Sequence, residues 1–496
     1  MVFSTIIFLC AFLPITIIGY YLMPGRGKNI FLLLCSLLFY AWGEPVYVFV
    51  MLGSIICNYA FGMAIYSFEA KRKLWLTLAV ITNLGILGIF KYTGFVVANL
   101  SRILPGLLKV PEIALPIGIS FYTFQGLSYC IDVYRDREIV QKNPLNLALY
   151  ISMFPQLIAG PIVRYGDVSR SLTKRTHSPE LFAAGAERFI IGLSKKAILA
   201  NSMGELADRI MGSNIDYMSS SVAWIGAVAY TLQIYFDFSG YSDMAIGLGK
   251  IFGFHFPENF NYPYISKSIR EFWRRWHISL STWFKDYLYI PLGGNRRGNV
   301  YVHLFIVFLA TGLWHGAAWG FVLWGLWHGM FSILERILGN LKKKRRAERE
   351  LKAEAGKGKI ENPLRKLLKV LKAVWCHIYT MLVVIVGWVL FKIVDVGETL
   401  RYLKVMFGIT GNAFVAYHQY YYLDSRMTCL FMVALMACIP WMKALSLNAQ
   451  NGENMIRIKN SIPFILCKRA VLLLLLALSF MFVITSTYNP FIYFRF

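Results

Sequence analysis

Three stretches of this 496-residue chain set ionisable side chains into otherwise apolar surroundings. Leu309–Gly320 (LATGLWHGAAWG) places His315 beside Trp314 and among Gly312, Gly316, Ala317 and Ala318, small residues that leave space around an imidazole. A neutral histidine in a dry site can take the proton of a hydroxyl and return it to a leaving thiolate, because its unperturbed pKa lies near operating pH. A histidine bonded to a neighbouring helix is the alternative. Arg270–Leu280 (REFWRRWHISL) carries Trp273, Trp276, His277 and Leu280 at the i, i+3, i+4, i+7 spacing of one helical face, with Arg270, Glu271 and Arg274 on other faces. This spacing predicts one amphipathic helix, interfacial or re-entrant, with its aromatic and histidine stripe turned inward. For His277 a catalytic role and a hydrogen-bonded structural role are both open. Gln233–Gly249 (QIYFDFSGYSDMAIGLG) adds Asp237, Ser239, Tyr241, Ser242 and Asp243. These side chains either wall a polar cavity or bond helix to helix.

Other chemistries lack their signatures. The sequence has no GxxxxGK[ST] phosphate loop, no HExxH zinc motif and no GxSxG nucleophile elbow. The eight cysteines stand singly in or beside apolar runs, so they read as packing residues, with no metal site and no disulfide framework expected. Gly312–Gly316 and Gly325–Gly329 both read Gly-Leu-Trp-His-Gly. On one straight helix the thirteen-residue offset would turn the second copy roughly 220° from the first, which places His328 on another side and gives it a packing role.

Elements that position these residues must lie in lipid. Hydrophobic residues make up 57% of the chain, charged ones 16%, and the mean hydropathy is +0.53, values outside the range of soluble domains. Apolar runs such as Val2–Met23, Leu74–Phe90, Val222–Phe238 and Ala470–Thr485 approach or reach the length needed to cross a hydrocarbon core of about 30 Å, and about eleven spanning or deeply inserted helices are expected. The first run has no basic residue before Arg26 and no small-residue cleavage site, so it reads as a retained helix. The net charge of +25 sits in the connections, where it reads as topology and not as nucleic-acid binding. The positive-inside tendency puts those connections in the cytoplasm and both termini outside. Such a basic face also attracts anionic lipids and phosphate-bearing substrates. One all-α membrane domain is expected over 1–496, comprising N-terminal helices (1–110), a motif-bearing core (111–340), a basic cytoplasmic connection (341–372) and C-terminal helices with an outer tail (373–496).

Phe154–Tyr165 (FPQLIAGPIVRY), Gln233–Gly249, Asn259–Gly294 and Leu313–Trp319 (LWHGAAW), with the closing Asn489–Phe496 (NPFIYFRF), together resemble the membrane-bound O-acyltransferase family. The likeness is to its bacterial branch of polysaccharide and peptidoglycan acetyl exporters, which contains the alginate O-acetyltransferase membrane protein. The resemblance implies a helical funnel with a tunnel near the catalytic histidine. It makes His315 the essential histidine and His277 its supporting partner, with Asp237, Tyr241, Asp243, Trp273, Trp276 and Trp314 as site or tunnel wall. It also implies acetyl-coenzyme A as donor with no tightly bound cofactor, an extracytoplasmic serine-hydrolase-like partner, a cell-surface polysaccharide acceptor and residence in the bacterial inner membrane. Tyr493 is either an interfacial aromatic anchor or an acyl relay, since a phenol, with a pKa of about 10, makes an activated ester. The alternatives are a D-alanyl exporter of teichoic acid synthesis, fed by a carrier-protein phosphopantetheine thioester, and, outside enzymes, a secondary transporter using Asp237, Asp243, His277 and His315 as a pathway.

Overall fold

The computed structural model describes residues 1–25, 27–106, 109–352, 363–409, 415–441, 461–486, 488–490 and 492, and among them every regular element is helical. Among the described residues four helices are long and apolar enough to cross a membrane, Tyr47–Ser67, Glu69–Ile103, Leu367–Lys392 and Ile462–Thr485. Shorter apolar helices occupy Phe8–Leu22, Gly27–Ala41, Val300–His315 and Ser425–Ala437. Leucines and isoleucines such as Leu38, Ile56, Ile81 and Leu473 are exposed on these helices, as expected where lipid and not protein covers the surface. Ile462–Thr485 begins with a proline in its first turn, where the missing N–H has no intrahelical partner to lose. The two ends of the basic stretch Lys342–Lys372 lie within the helices Trp319–Lys352 and Pro363–Lys392, and its middle lies outside the described residues.

The chain forms two compact units. One gathers Met1–Glu205, Gln233–Asn259 and Lys443–Phe496, the other Leu206–Leu232 and Phe260–Met442. In the first unit the helix Pro179–Ser194, started by Ser178 accepting from the Leu181 N–H, crosses the part of helix Ser220–Ile251 that follows Gln233. The crossing runs through glycines at matching seven-residue intervals. A Cβ on Gly192 would lie 2.5 Å from the Gly240 carbonyl oxygen, and one on Gly185 would lie 2.6 Å from that of Gly247. Small residues that let backbones touch are the usual means of holding helices together where no hydrophobic force separates lipid from leucine. Immediately after Ser194 the chain makes a π-helical turn, Lys195–Ala200.

In the second unit the helices Val300–His315 and Trp319–Lys352 form a tight hairpin. The first starts at Asn299, whose side chain accepts from the Tyr301 N–H, and ends where Gly316 is extended. A Cβ on Gly312 would sit 2.4 Å from the Phe321 carbonyl oxygen, and one on Gly325 would sit 2.5 Å from that of Phe308. The opening glycines of the two Gly-Leu-Trp-His-Gly copies therefore meet each other across the hairpin. Helix Pro363–Lys392 approaches the same pair at Gly320, where a Cβ would be 3.2 Å from the Leu390 carbonyl oxygen.

The crossing gives a test with an internal control. Gly192→Ala should destabilise the protein by about 1–3 kcal/mol, the usual cost of overpacking, whereas Gly85→Ala, where nothing lies within 4 Å of the added carbon, should gain about 0.5–1 kcal/mol from helix propensity. Melting of the detergent-solubilised protein, followed by size-exclusion chromatography after heating, distinguishes the two. Equal behaviour of the variants would show that the helices are not held by backbone contact.

Candidate active site

His315 is the last residue of its helix and is buried, with 4% exposure. Three rings enclose it, Trp314 at 4.8 Å, Trp324 at 5.0 Å and Phe391 at 5.1 Å between centroids. The hairpin brings Trp324 there, and the approach at Gly320 brings Phe391 from helix Pro363–Lys392. The small residues around His315 do not leave the expected space. A Cβ on Gly316 would collide with the Phe321 ring at 2.2 Å, and Gly312 serves the helix crossing. Their size is used by close packing, and the imidazole is boxed by aromatics.

His277 is fully buried, and its ring lies 6.0 Å from that of Trp314. Trp314 thus touches both histidines. The expected continuous helix over Arg270–Leu280 is broken. Ile269–Arg275 ends, Trp276 is extended, His277 takes the left-handed conformation at φ 42°, and Ile278–Phe284 begins anew. The break has a tertiary cause. The Asn261 N–H donates to the Arg275 carbonyl (2.9 Å), and the Arg275 guanidinium donates back to the Asn261 carbonyl (3.1 Å), so Arg275 turns outward. Neither seven-residue helix is long enough to span a bilayer. The first is locked to helix Trp319–Lys352 by Glu335, whose carboxylate accepts from the N–H groups of Ile269 (2.7 Å) and Arg270 (3.2 Å), an arrangement favoured by the helix dipole. Ser279 Oγ lies 3.4 Å from His277 Nδ1. Burial pushes the His277 imidazole down, toward its neutral form.

The second copy of the repeat comes to the same place. His328 stands 5.2 Å from Trp324, the ring that also faces His315, and 5.2 Å from Trp273. The wheel argument that separated the two histidines assumed one straight helix, and the turn after His315 removes that assumption. Gly387 makes room for His328, since a Cβ there would be 2.6 Å from Nε2. Neither ring nitrogen of His328 has a hydrogen-bond partner among the described residues. Trp273 also meets Trp324 (5.7 Å), and Trp276 meets Trp388 (4.7 Å), so the predicted aromatic wall forms around rings that sequence reading did not single out, Trp324, Trp388 and Phe391.

Asp237, Tyr241 and Asp243 belong to the other unit. Asp243 is paired with Arg188 (2.6 Å) and Lys195 (2.7 Å), Asp237 with Lys196 (2.6 Å), and Tyr241 stacks on Phe3 at 4.4 Å. Lys195 and Lys196 carried no expectation, although two lysines between Ile191 and Ile198 in an apolar run were a readable signal. Tyr493 lies outside the described residues.

The membrane-bound O-acyltransferase family model matches residues 132–350. The chain is 44% identical over 416 residues to the probable alginate O-acetylase AlgI of Pseudomonas aeruginosa, covering 82% of this chain and 75% of that protein. It is 38% identical to the protein of the same name from Pseudomonas putida, with 100% of both chains covered. The peptidoglycan O-acetyltransferase of Helicobacter pylori is 33% identical over 100% of this chain and 98% of its own length. Likeness of that extent, in an all-helical multi-pass membrane protein with a buried histidine pair, means that the chain is an O-acyltransferase and belongs to the membrane-bound O-acyltransferase family.

Proposed function

We propose that this enzyme takes an acetyl group from cytoplasmic acetyl-coenzyme A and passes it across the bacterial inner membrane toward hydroxyls of an extracytoplasmic polysaccharide, through a secreted serine-hydrolase-like partner. The observation that carries this reading is the aromatic box that holds His315, with His277 on the far side of Trp314. Relatives aligned over their whole length are named for O-acetylation, which supports acetyl over D-alanyl as the group carried. Acetyl-coenzyme A is too large and charged to cross lipid, whereas acetyl alone is small and neutral. The enzyme therefore needs only a thin place where thioester and hydroxyl meet from opposite sides.

At that place His315 takes the acceptor's hydroxyl proton as the oxygen attacks the thioester carbonyl. The carbon–sulfur bond breaks, and the imidazolium returns the proton to the departing thiolate. His277 supports the second polar position, and Trp273, Trp276 and Trp314 line the site. About eleven spanning or inserted helices surround it in one membrane domain with both termini outside. Tyr493 is the first acceptor, its phenyl ester being an acyl donor that the partner can discharge. A phosphopantetheine thioester on a carrier protein is the donor in the D-alanyl alternative, and assaying both donors decides between them.

Replacing His315 by Ala should lower acetyl transfer from labelled acetyl-coenzyme A by at least about 10²-fold, the contribution of general base catalysis, in a protein that still runs as a single species in detergent. His328→Phe should keep most of the activity. The opposite pattern would mean that the second copy of the repeat holds the base.

At His277 the backbone separates two effects. Asparagine tolerates the left-handed region and a β-branched residue does not, so His277→Asn should fold normally with reduced transfer, while His277→Val should lose about 1–2 kcal/mol of stability as well. Full activity in the well-folded Asn variant would remove His277 from the chemistry.

For Tyr493 the measurement is mass spectrometry of the C-terminal peptide after incubation with labelled acetyl-coenzyme A without partner. Acetyl should appear on the native peptide and be absent from Tyr493→Phe. Unimpaired polymer acetylation by that variant would leave the residue an anchor.

A further inference from the structure

The least expected charge in the first unit is Lys196. It lies in the π-helical turn Lys195–Ala200, and both it and Asp237 are 2% exposed. An ion pair so deeply buried is stabilising only if its remaining donors and acceptors are also met. Residues near the end of the sequence supply one acceptor and one donor. Lys196 Nζ donates to the carbonyl oxygen of Pro490, and Asp237 Oδ2, 3.0 Å away, accepts the N–H of Ile492. Around this pair Asn489 is held by three further bonds. Its Oδ1 accepts from Ser4 Oγ (3.1 Å) and Asn201 Nδ2 (3.3 Å), and its Nδ2 donates to the Ser4 carbonyl (2.9 Å). The Tyr488 hydroxyl lies against Gly204, where a Cβ would be 3.0 Å from it, and Ile492 is 7% exposed.

We infer that Lys196 and Asp237 form a clamp that grips the main chain at Pro490 and at Ile492 and is a positioning device for acyl transfer. The grip is on main-chain groups, one carbonyl and one N–H two residues apart, so it fixes where the chain goes without specifying the side chains it carries. The next residue in the sequence is Tyr493, and the positioning role rests on the proposed function. π-Helical turns occur frequently at functional sites. Here the turn lets consecutive lysines serve Asp243 and Asp237, which stand six residues apart on one helix. These are positioning residues and do not touch the reacting atoms.

The test introduces Ile492→Cys and measures its reaction with a polar maleimide in the purified full-length protein. The peptide following Arg469 contains no native cysteine, so the label is read there by mass spectrometry. Two pair variants are compared with the native pair. Lys196→Met with Asp237→Leu removes both charges and leaves neither orphaned, and Lys196→Asp with Asp237→Lys reverses the pair. The cysteine should be protected with the native pair and react about tenfold faster or more in both variants, which lose the two bonds to the tail. Acetyl transfer should fall in parallel while size-exclusion profiles stay unchanged. The reversed pair is the decisive arm, because it restores the attraction between the helices but sets a carboxylate against the Pro490 carbonyl. Protection restored by the reversed pair would show that the charges only tie helix to helix. A cysteine already reactive beside the native pair, or protected in every variant, would overturn the clamp. Release of the tail with transfer unchanged would overturn its positioning role. If the wild type transferred no acetyl, the proposed function would fail while the labelling still decided the clamp.

Discussion

At Gly192 and Gly240 two backbones come closer than any side chain permits, and the charges nearby follow from that approach. Lys196, 2% exposed beside this crossing, has no outward path to water and finds Asp237 on the facing helix. Arg188 and Lys195, partly exposed, pair with Asp243 on the same helix. An unpaired charge there would cost several kcal/mol. The glycines thus fix the polar interior of the first unit as well as its packing. Replacing a glycine would move the ion pairs, and with them the tail that completes their bonding.

The second unit uses the same means for a different end. Contact at Gly312 and Gly325 leaves Trp314, His315, Trp324 and His328 to point into one aromatic cluster. Rings do two things for an imidazole in such a place. They exclude water, and they fix the plane of the histidine. Preorganisation of this kind is where enzymes hold much of their advantage over solution. His277 reaches the cluster through a strained backbone held by Asn261 and Arg275, which is the pattern expected where local cost is tolerated for the sake of a site.

The apolar spans were legible because lipid imposes length and composition on each segment separately, and Ile462–Thr485 or Glu69–Ile103 needs no knowledge of its neighbours to be recognised. The burial of His315 and His277 was legible for a related reason, since both stand in otherwise apolar runs. What escaped was everything that depends on a partner distant in sequence. The break at Trp276–His277 is made by Asn261, and periodicity, which counts only within a segment, returned an unbroken helix. The repeat at Gly312 and Gly325 was visible, but its meaning required the turn at Gly316, which converts two sides of a wheel into two faces of one contact. The bonding of Lys196 was out of reach for the same reason, because its counter-charge and its tail partner lie 41 and 294 residues further on.

The distance between Asp237 and Ile492 also has a meaning in time. At about 5–20 residues per second of synthesis, the 255 residues between them separate the two by roughly ten to fifty seconds. Throughout that interval the helices carrying Lys196 and Asp237 are already made, and the backbone that satisfies them does not yet exist. The nascent protein must shelter a half-bonded charge pair, by water or by the insertion machinery, until its final residues arrive. A ribosome that stops early would release a chain whose defect lies in the interior of its first unit, far in sequence from the missing residues.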